Sequence, residues 1–171
     1  MLFRSALNNP EDYTAALDAG YLDFAFVLKR GDELLDMFTF LNMLVFFFRD
    51  HIAIFSGSNP TASGDFALQQ LIEGCGVVGT DTVQGLGTDC AFLYNSGVKS
   101  LRQVVTTGAL NLNDVSEHID PVIMPDIAGN AGGRWASAHY PKMRCYFILI
   151  GNTVWGYSYT WKAWFRMVGT D

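Results

Sequence analysis

Apolar residues are densest between Leu41 and Gly57, in the stretch LNMLVFFFRDHIAIFSG. Leu44 to Phe48 and Ile52 to Phe55 are near-continuous runs of residues that pack well on a pleated surface. The polar Arg49-Asp50-His51 between them lets the chain reverse, so the stretch reads as a hairpin at the centre of a sheet. A run that is apolar at nearly every position, instead of every second one, belongs to a strand buried on both faces.

The rest of the chain is organised around that hairpin. Asn8-Asn9-Pro10-Glu11-Asp12 is a turn signal, because Asn tolerates left-handed backbone and Pro presets φ. Thr14 to Ala19 is rich in Ala but too short to hold a helix alone. YLDFAFVLK from Tyr21 is partly alternating, Arg30-Gly31-Asp32 turns the chain, and LLDMFTF runs from Leu34 to Phe40. A Ser-, Gly- and Pro-containing loop covers Ser56 to Gly64, and Phe66 to Glu73 reads as a short helix or an outer strand, with the strand favoured. Thr82 to Leu86, Cys90 to Tyr94 and Val98 to Val105 follow as three strands, separated by turns at Gly87-Thr88-Asp89 and Asn95-Ser96-Gly97. Residues 106–135 break the pattern. Thr106-Thr107-Gly108, Asn111 to Asp114, Pro121, Pro125 and Gly129 to Gly133 predict an irregular connector with room for a short helix. The β pattern returns in ASAHY, CYFILI, TVWGYSYT and AWFRMVG, joined by turns at Pro141 to Arg144 and Gly151-Asn152.

Three segments superimpose: RDHIAIFSGS from Arg49, TDCAFLYNSG from Thr88 and MRCYFILIGN from Met143. Each has a polar pair, a short apolar run and a Gly-containing turn, with strand-like stretches on either side. A meander of four strands recurring every 40 to 50 residues or so is the signature of β-propeller blades. The expected fold is therefore all-β, with antiparallel meanders resembling propeller blades. A β-sandwich, which also spaces short strands closely, is the alternative. On this reading 1–171 is a single β domain or a propeller segment of about three to four blade-like units, fewer than the ring sizes of about four to eight usually seen.

Composition supports a packed core: 50% of the residues are hydrophobic and 14% aromatic. The net charge of −6 argues against a general nucleic-acid surface, whose footprint is a basic patch. Cys75, Cys90 and Cys145 cannot all pair with one another and have no C-x-x-C spacing, which predicts buried free thiols. The apolar run Phe38 to Phe48 is well short of the roughly 20 residues of a membrane helix, and MLFRSALNNPEDY lacks an apolar signal core. No membrane anchor is expected, and synthesis in a cytoplasm is.

Candidate chemistry is sparse. His51, His118 and His139 lie far apart and none has a neighbouring histidine at metal-ligand spacing, so no metal site is expected. Asp50, Asp65, Asp81 and Asp89 occupy turns, where Asp is favoured for its side-chain bonds to the backbone. Gly74, Gly76 and Gly79 do not open a helix as a dinucleotide loop must, and read as a bulge or tight crossing. No catalytic residue and no cofactor are expected. The candidate interface is the aromatic cluster Trp155, Tyr157, Tyr159, Trp161 and Trp164, since Trp and Tyr concentrate at interface centres.

RDHIAIFSG, CGVVGTDTVQGLGTDCAFLYNSGVKSLRQV and HYPKMRCYFILIGNTVWGYSYTWKAWFRMVG, in that order, resemble the β-propeller part of short-tailed bacteriophage tail nozzle or hub proteins. These are also called packaged-DNA stabilisation or tail tubular proteins. RSALNNPEDYT resembles the loop that precedes a blade in that family. The resemblance spans about Phe3 to Gly169, and NSGVKSL and TWKAWFRM are its most telling parts. It implies a structural virion protein of the tail, made in the host cytoplasm and multimeric around the tail axis. Such a protein joins portal or adaptor to distal tail parts, with packaged DNA as passing cargo and no catalytic residues. Family members are much longer, which leaves open whether the residues that gate the channel lie within these 171. Two other readings remain: a carbohydrate-binding or glycan-acting β protein using the Trp155 to Phe165 aromatics, and a cellular propeller scaffold.

Overall fold

The computed structural model describes residues 2–4, 20–22, 24, 32–57, 66–87, 89–103 and 110–168. Short strands β1 (Leu2–Arg4) and β2 (Gly20–Leu22) pair antiparallel. A first four-stranded sheet follows: β3 (Leu34–Phe40), β4 (Met43–Phe48), β5 (His51–Ser56) and β6 (Ala67–Glu73). The second contains β7 (Gln84–Gly85), β8 (Asp89–Tyr94), β9 (Gly97–Gln103) and β10 (Leu110–Asp114). Helix α1 (Asp120–Gly129) leads to the third: β11 (Trp135–Tyr140), β12 (Cys145–Ile150), β13 (Thr153–Ser158) and β14 (Ala163–Val168). In each four-stranded sheet the strands lie side by side in chain order, all antiparallel. These are up-and-down meanders without a Greek-key crossing, the strand order of propeller blades and not that of a Greek-key sandwich. Among the described residues the fold is all-β with one short helix.

The chain divides into two compact units, Met1–Gly74 and Cys75–Asp171. In the first, Phe24 meets Phe46, Phe48 and Phe55 edge to face, at centroid distances of 4.9, 5.3 and 5.8 Å. Ala53 completes that buried cluster, with Leu44, Phe66, Leu68 and Leu71 packed against it. Side chains alternate along a strand, so Val45, Phe47, Ile52 and Ile54 belong to the opposite face. They are at most 1% exposed. Both faces of the β4–β5 hairpin are thus buried, as its continuous apolar run requires, and each such side chain contributes about 1.5–3 kcal/mol. Leu41 and Asn42 turn β3 into β4 with φ of 51° and 63°, the left-handed pair of a two-residue hairpin.

In the second unit, Ala91, Leu93 and Val98 form one core with Tyr146, Ile148, Ile150 and Trp155. Ile123 and Ile127, four apart on one face of α1, enter the same core. The Tyr146 hydroxyl, fully buried, donates to the Thr82 carbonyl at 2.9 Å. A Cβ on Gly79 would collide with the Trp135 ring, so this glycine marks a close crossing, as expected for the Gly74 to Gly79 stretch. Gly97, at φ +119°, begins β9 against Ser116 and Asp120, where no larger residue fits.

The irregular connector expected over 106–135 is corrected. Residues 110–114 pair with β9 along their whole length, and residues 120–129 are helical. Four of the five β10 residues are exposed, so no alternation marked the strand; its partner sets its conformation. Pro121 lies in the first helical turn, where its missing N–H costs nothing, and Pro125 sits inside the helix, where sequence rules expect a break. The repeat register also shifts. The segment from Arg49 is the third strand of its sheet, while those from Thr88 and Met143 are second strands; the true counterpart is β4. Because β4 and β5 are both apolar throughout, hydrophobic pattern alone cannot tell one from the other. The turn at Asn8 to Asp12, the stretch Thr14 to Ala19, most of the run from Tyr21, the loop from Ser58 to Gly64 and Thr106 to Gly108 lie outside the described residues.

Candidate functional site

The third sheet presents two unlike faces. On the inner face Tyr146, Tyr157 and Trp164 line up across β12, β13 and β14, beside the row Ile148, Trp155 and Arg166. Tyr157 lies 4.9 Å from Trp164, centroid to centroid, and the Trp164 indole donates to the Val115 carbonyl at 3.1 Å. Trp155 is buried and donates to the Asp126 carboxylate at 3.0 Å. The Arg166 guanidinium stands over its ring at 5.5 Å and pairs with Asp126.

The core opens into a cleft of about 180 Å³ where the sheet of β7 to β10 faces that of β11 to β14. From the second sheet come Asp89, Ser100 and Arg102; Asp89 and Arg102 are register partners, and Arg102 Nε donates to Asp89 Oδ1 at 2.8 Å. From the third come Tyr157, Tyr159 and Lys162, and the apolar lining is Leu86 and Val115. Burial pushes the Tyr157 phenol above its ordinary pKa; the Asp89 carboxylate adds to this and Arg102 opposes it. Asp89 in turn raises the pKa of the Arg102 guanidinium. Tyr157 therefore stays a hydrogen-bond donor at neutral pH. The Tyr159 hydroxyl lies 3.2 Å from His139 Nε2.

The five aromatics of the candidate interface thus take different positions. Tyr157 and Tyr159 line the cleft, Trp164 packs against Tyr157 at a tilt, Trp155 is core at 4% exposure, and Trp161 projects into solvent at 81%. Asp89 is the one carboxylate lining the cleft among the described residues. A glycosidase pair of two carboxyl groups is therefore not assembled there. Asp50 and Asp81 are turn residues as expected, and Asp65 lies outside the described residues. No group of three or more His, Cys, Asp or Glu able to hold a metal ion occurs among the described residues. Cys75, Cys90 and Cys145 are buried and form no disulfide among the described residues.

The outer face of the same sheet is apolar and partly open. One row across it is Ala138, Phe147, Gly156 and Phe165; the next is Ala136, Leu149, Val154 and Met167. Phe165 covers Gly156, where a Cβ would strike its ring, and meets Phe147 edge to face at 5.8 Å. Phe165 and Met167 are nonetheless 39% and 46% exposed. No charged residue occupies an outward position on β11 to β14.

Sequence reasoning missed one polar cluster. His51, expected in a turn, is the buried first residue of β5 and lies with Nδ1 2.5 Å from Asp32 Oδ2. Asp32 also accepts from the backbone N–H of Asp50 at 3.2 Å and of Glu33 at 2.9 Å. The carboxylate therefore clamps the turn of the β4–β5 hairpin. The partners stand 19 residues apart, and the local turn signal at Arg30-Gly31-Asp32 gave no hint of the link.

No protein-family model matches the chain, and no curated protein does. Among the described residues no helix is long and apolar enough to cross a membrane.

Proposed function

We propose that this chain is a non-enzymatic structural protein that works through protein–protein contacts made by the faces of its meanders. The observation that carries the reading is the uncharged outer face of β11 to β14, open at Phe165 and Met167. Exposed apolar patches of this kind mark contact surfaces. The occupant we assign to it is a second copy of the chain, since an uncharged apolar face is matched by another like itself and offers nothing to a charged partner. The resemblance to tail nozzle and hub proteins supplies the setting: a phage tail, where the protein joins portal or adaptor to other tail components and helps to retain packaged DNA. Meanders in propeller-blade order support that assignment.

The setting is tested on virions of the phage that encodes the chain. Antibody labelling confined to the tail, with the chain recovered from purified particles by mass spectrometry, is the expected result. Particles that lack the chain would contradict it.

A further inference from the structure

We propose that the cleft between the second and third sheets binds a single carboxylate-bearing sugar unit, a uronate. Its volume, about 180 Å³, lies below the roughly 300–1,000 Å³ of sites for drug-sized ligands and suits one ring. The lining sorts by chemistry. Lys162, in the turn between β13 and β14, makes no ion pair among the described residues, and the Arg102 guanidinium in the same lining is anchored through Nε by Asp89. An anchored guanidinium keeps further N–H donors for a ligand and needs little ordering to use them.

Two cations against one carboxylate give the lining a net positive charge on a chain whose total is −6. That balance favours a monoanion, while the nearby Asp89 carboxylate opposes a phosphate dianion. Tyr157, held by Trp164, offers a ring and a protonated hydroxyl, Ser100 and Tyr159 add hydroxyls, and Leu86 and Val115 receive a sugar's C–H face. Hydroxyls, a carboxylate and an apolar ring face together are the chemistry of a uronate. Nothing in this lining provides the second carboxyl group that cleavage of a glycosidic bond requires, so the site binds without cutting.

The test is a ligand-observed NMR titration of the full chain with glucuronate, glucose and acetate as separate probes, at low and high salt. Saturable glucuronate binding at least about tenfold tighter than glucose or acetate, weakened by salt, is expected. Lys162→Gln, an exposed turn position, should keep the circular dichroism spectrum and weaken glucuronate about fivefold or more while leaving glucose unchanged. Tyr157→Ala should weaken glucuronate and glucose alike. No saturable glucuronate binding, equal affinity for the three probes, or glucuronate binding unchanged in Lys162→Gln would each overturn the proposal. Self-association through the outer sheet face is read separately, by sedimentation, so failure of either idea leaves the other standing.

Discussion

The β4–β5 hairpin and the β11–β14 sheet have the same meander topology and opposite surroundings. In the hairpin Phe46 and Phe48 on one face and Phe47, Ile52 and Ile54 on the other are all within 2% of full burial. In the third sheet the outer face is only partly covered: Cys145, Gly156 and Ser158 are buried there, while Phe165 and Met167 are exposed. The sequence difference is one of period. Two-sided burial writes a continuous apolar run, whereas the third sheet mixes Tyr, Ser, Thr and Gly into its strands. Under the proposed function, the apolar outer rows left open at Phe165 and Met167 await a contact that the hairpin already has within its own unit.

The comparison is broken most severely by charge. Phe47→Asp places a carboxylate in a fully buried site and should abolish folding, because an unpaired buried charge costs more than most of a domain's ~5–15 kcal/mol of stability. Phe165→Asp, the matching change on the open face, should fold with a native circular dichroism spectrum. If Phe47→Asp were soluble and folded, two-sided burial of the hairpin would be wrong.

Next in size is the clamp. Asp32→Ala removes the acceptor shared by His51 and the turn backbone, and leaves His51 buried without it. A loss of about 1–3 kcal/mol in urea unfolding is expected, the cost of leaving buried polar groups without their acceptor. Asp50→Asn, in the same turn but exposed and engaged through its backbone N–H, should change stability by less than about 0.5 kcal/mol. Equal effects of the two would dismiss the clamp.

Alkaline pH separates the two units by a smaller amount. Burial pushes the Cys75 thiol from 9.0 up to about 11, Lys99 pulling it down and Asp114 raising it. The unfolded chain therefore loses this proton near pH 9 while the folded chain keeps it until about 11. The stabilising contribution is complete below pH 9 and is lost as pH rises through that window. Burial also raises the Tyr146 phenol far above 10.0, which extends the loss upward. Both groups belong to Cys75–Asp171, and no cysteine or tyrosine is buried among the described residues of Met1–Gly74. Tyrosine absorbance and hydrogen exchange between pH 8 and 11 should show residues 75–171 loosening first.

Much of this was legible in the sequence because strands and tight turns are local. All four strands of the third sheet follow from their patterning and from the Gly151-Asn152 reversal. β10 was not legible, since LNLND is nearly all exposed and owes its conformation to pairing with β9. The short helix for which the connector left room was legible only as a possibility, because Pro121 and Pro125 obscure the position of α1, which Ile123 and Ile127 hold in place from the core. The cleft depends on two sheets meeting: Asp89 and Arg102 lie on one, Tyr157 and Lys162 on the other, and no spacing joins them. Trp155 and Trp161 read alike as aromatic neighbours, yet one is core and the other solvent-facing, a distinction set by the pleat and the turn after β13.

The claim that the open face is a contact surface is met most directly by sedimentation equilibrium of the full chain, wild type beside Phe165→Glu with Met167→Glu. The wild type should associate in a concentration-dependent way, and the double variant should run as a folded monomer. A wild type that remains monomeric across micromolar to millimolar concentrations, or a double variant that associates as the wild type does, would contradict the account.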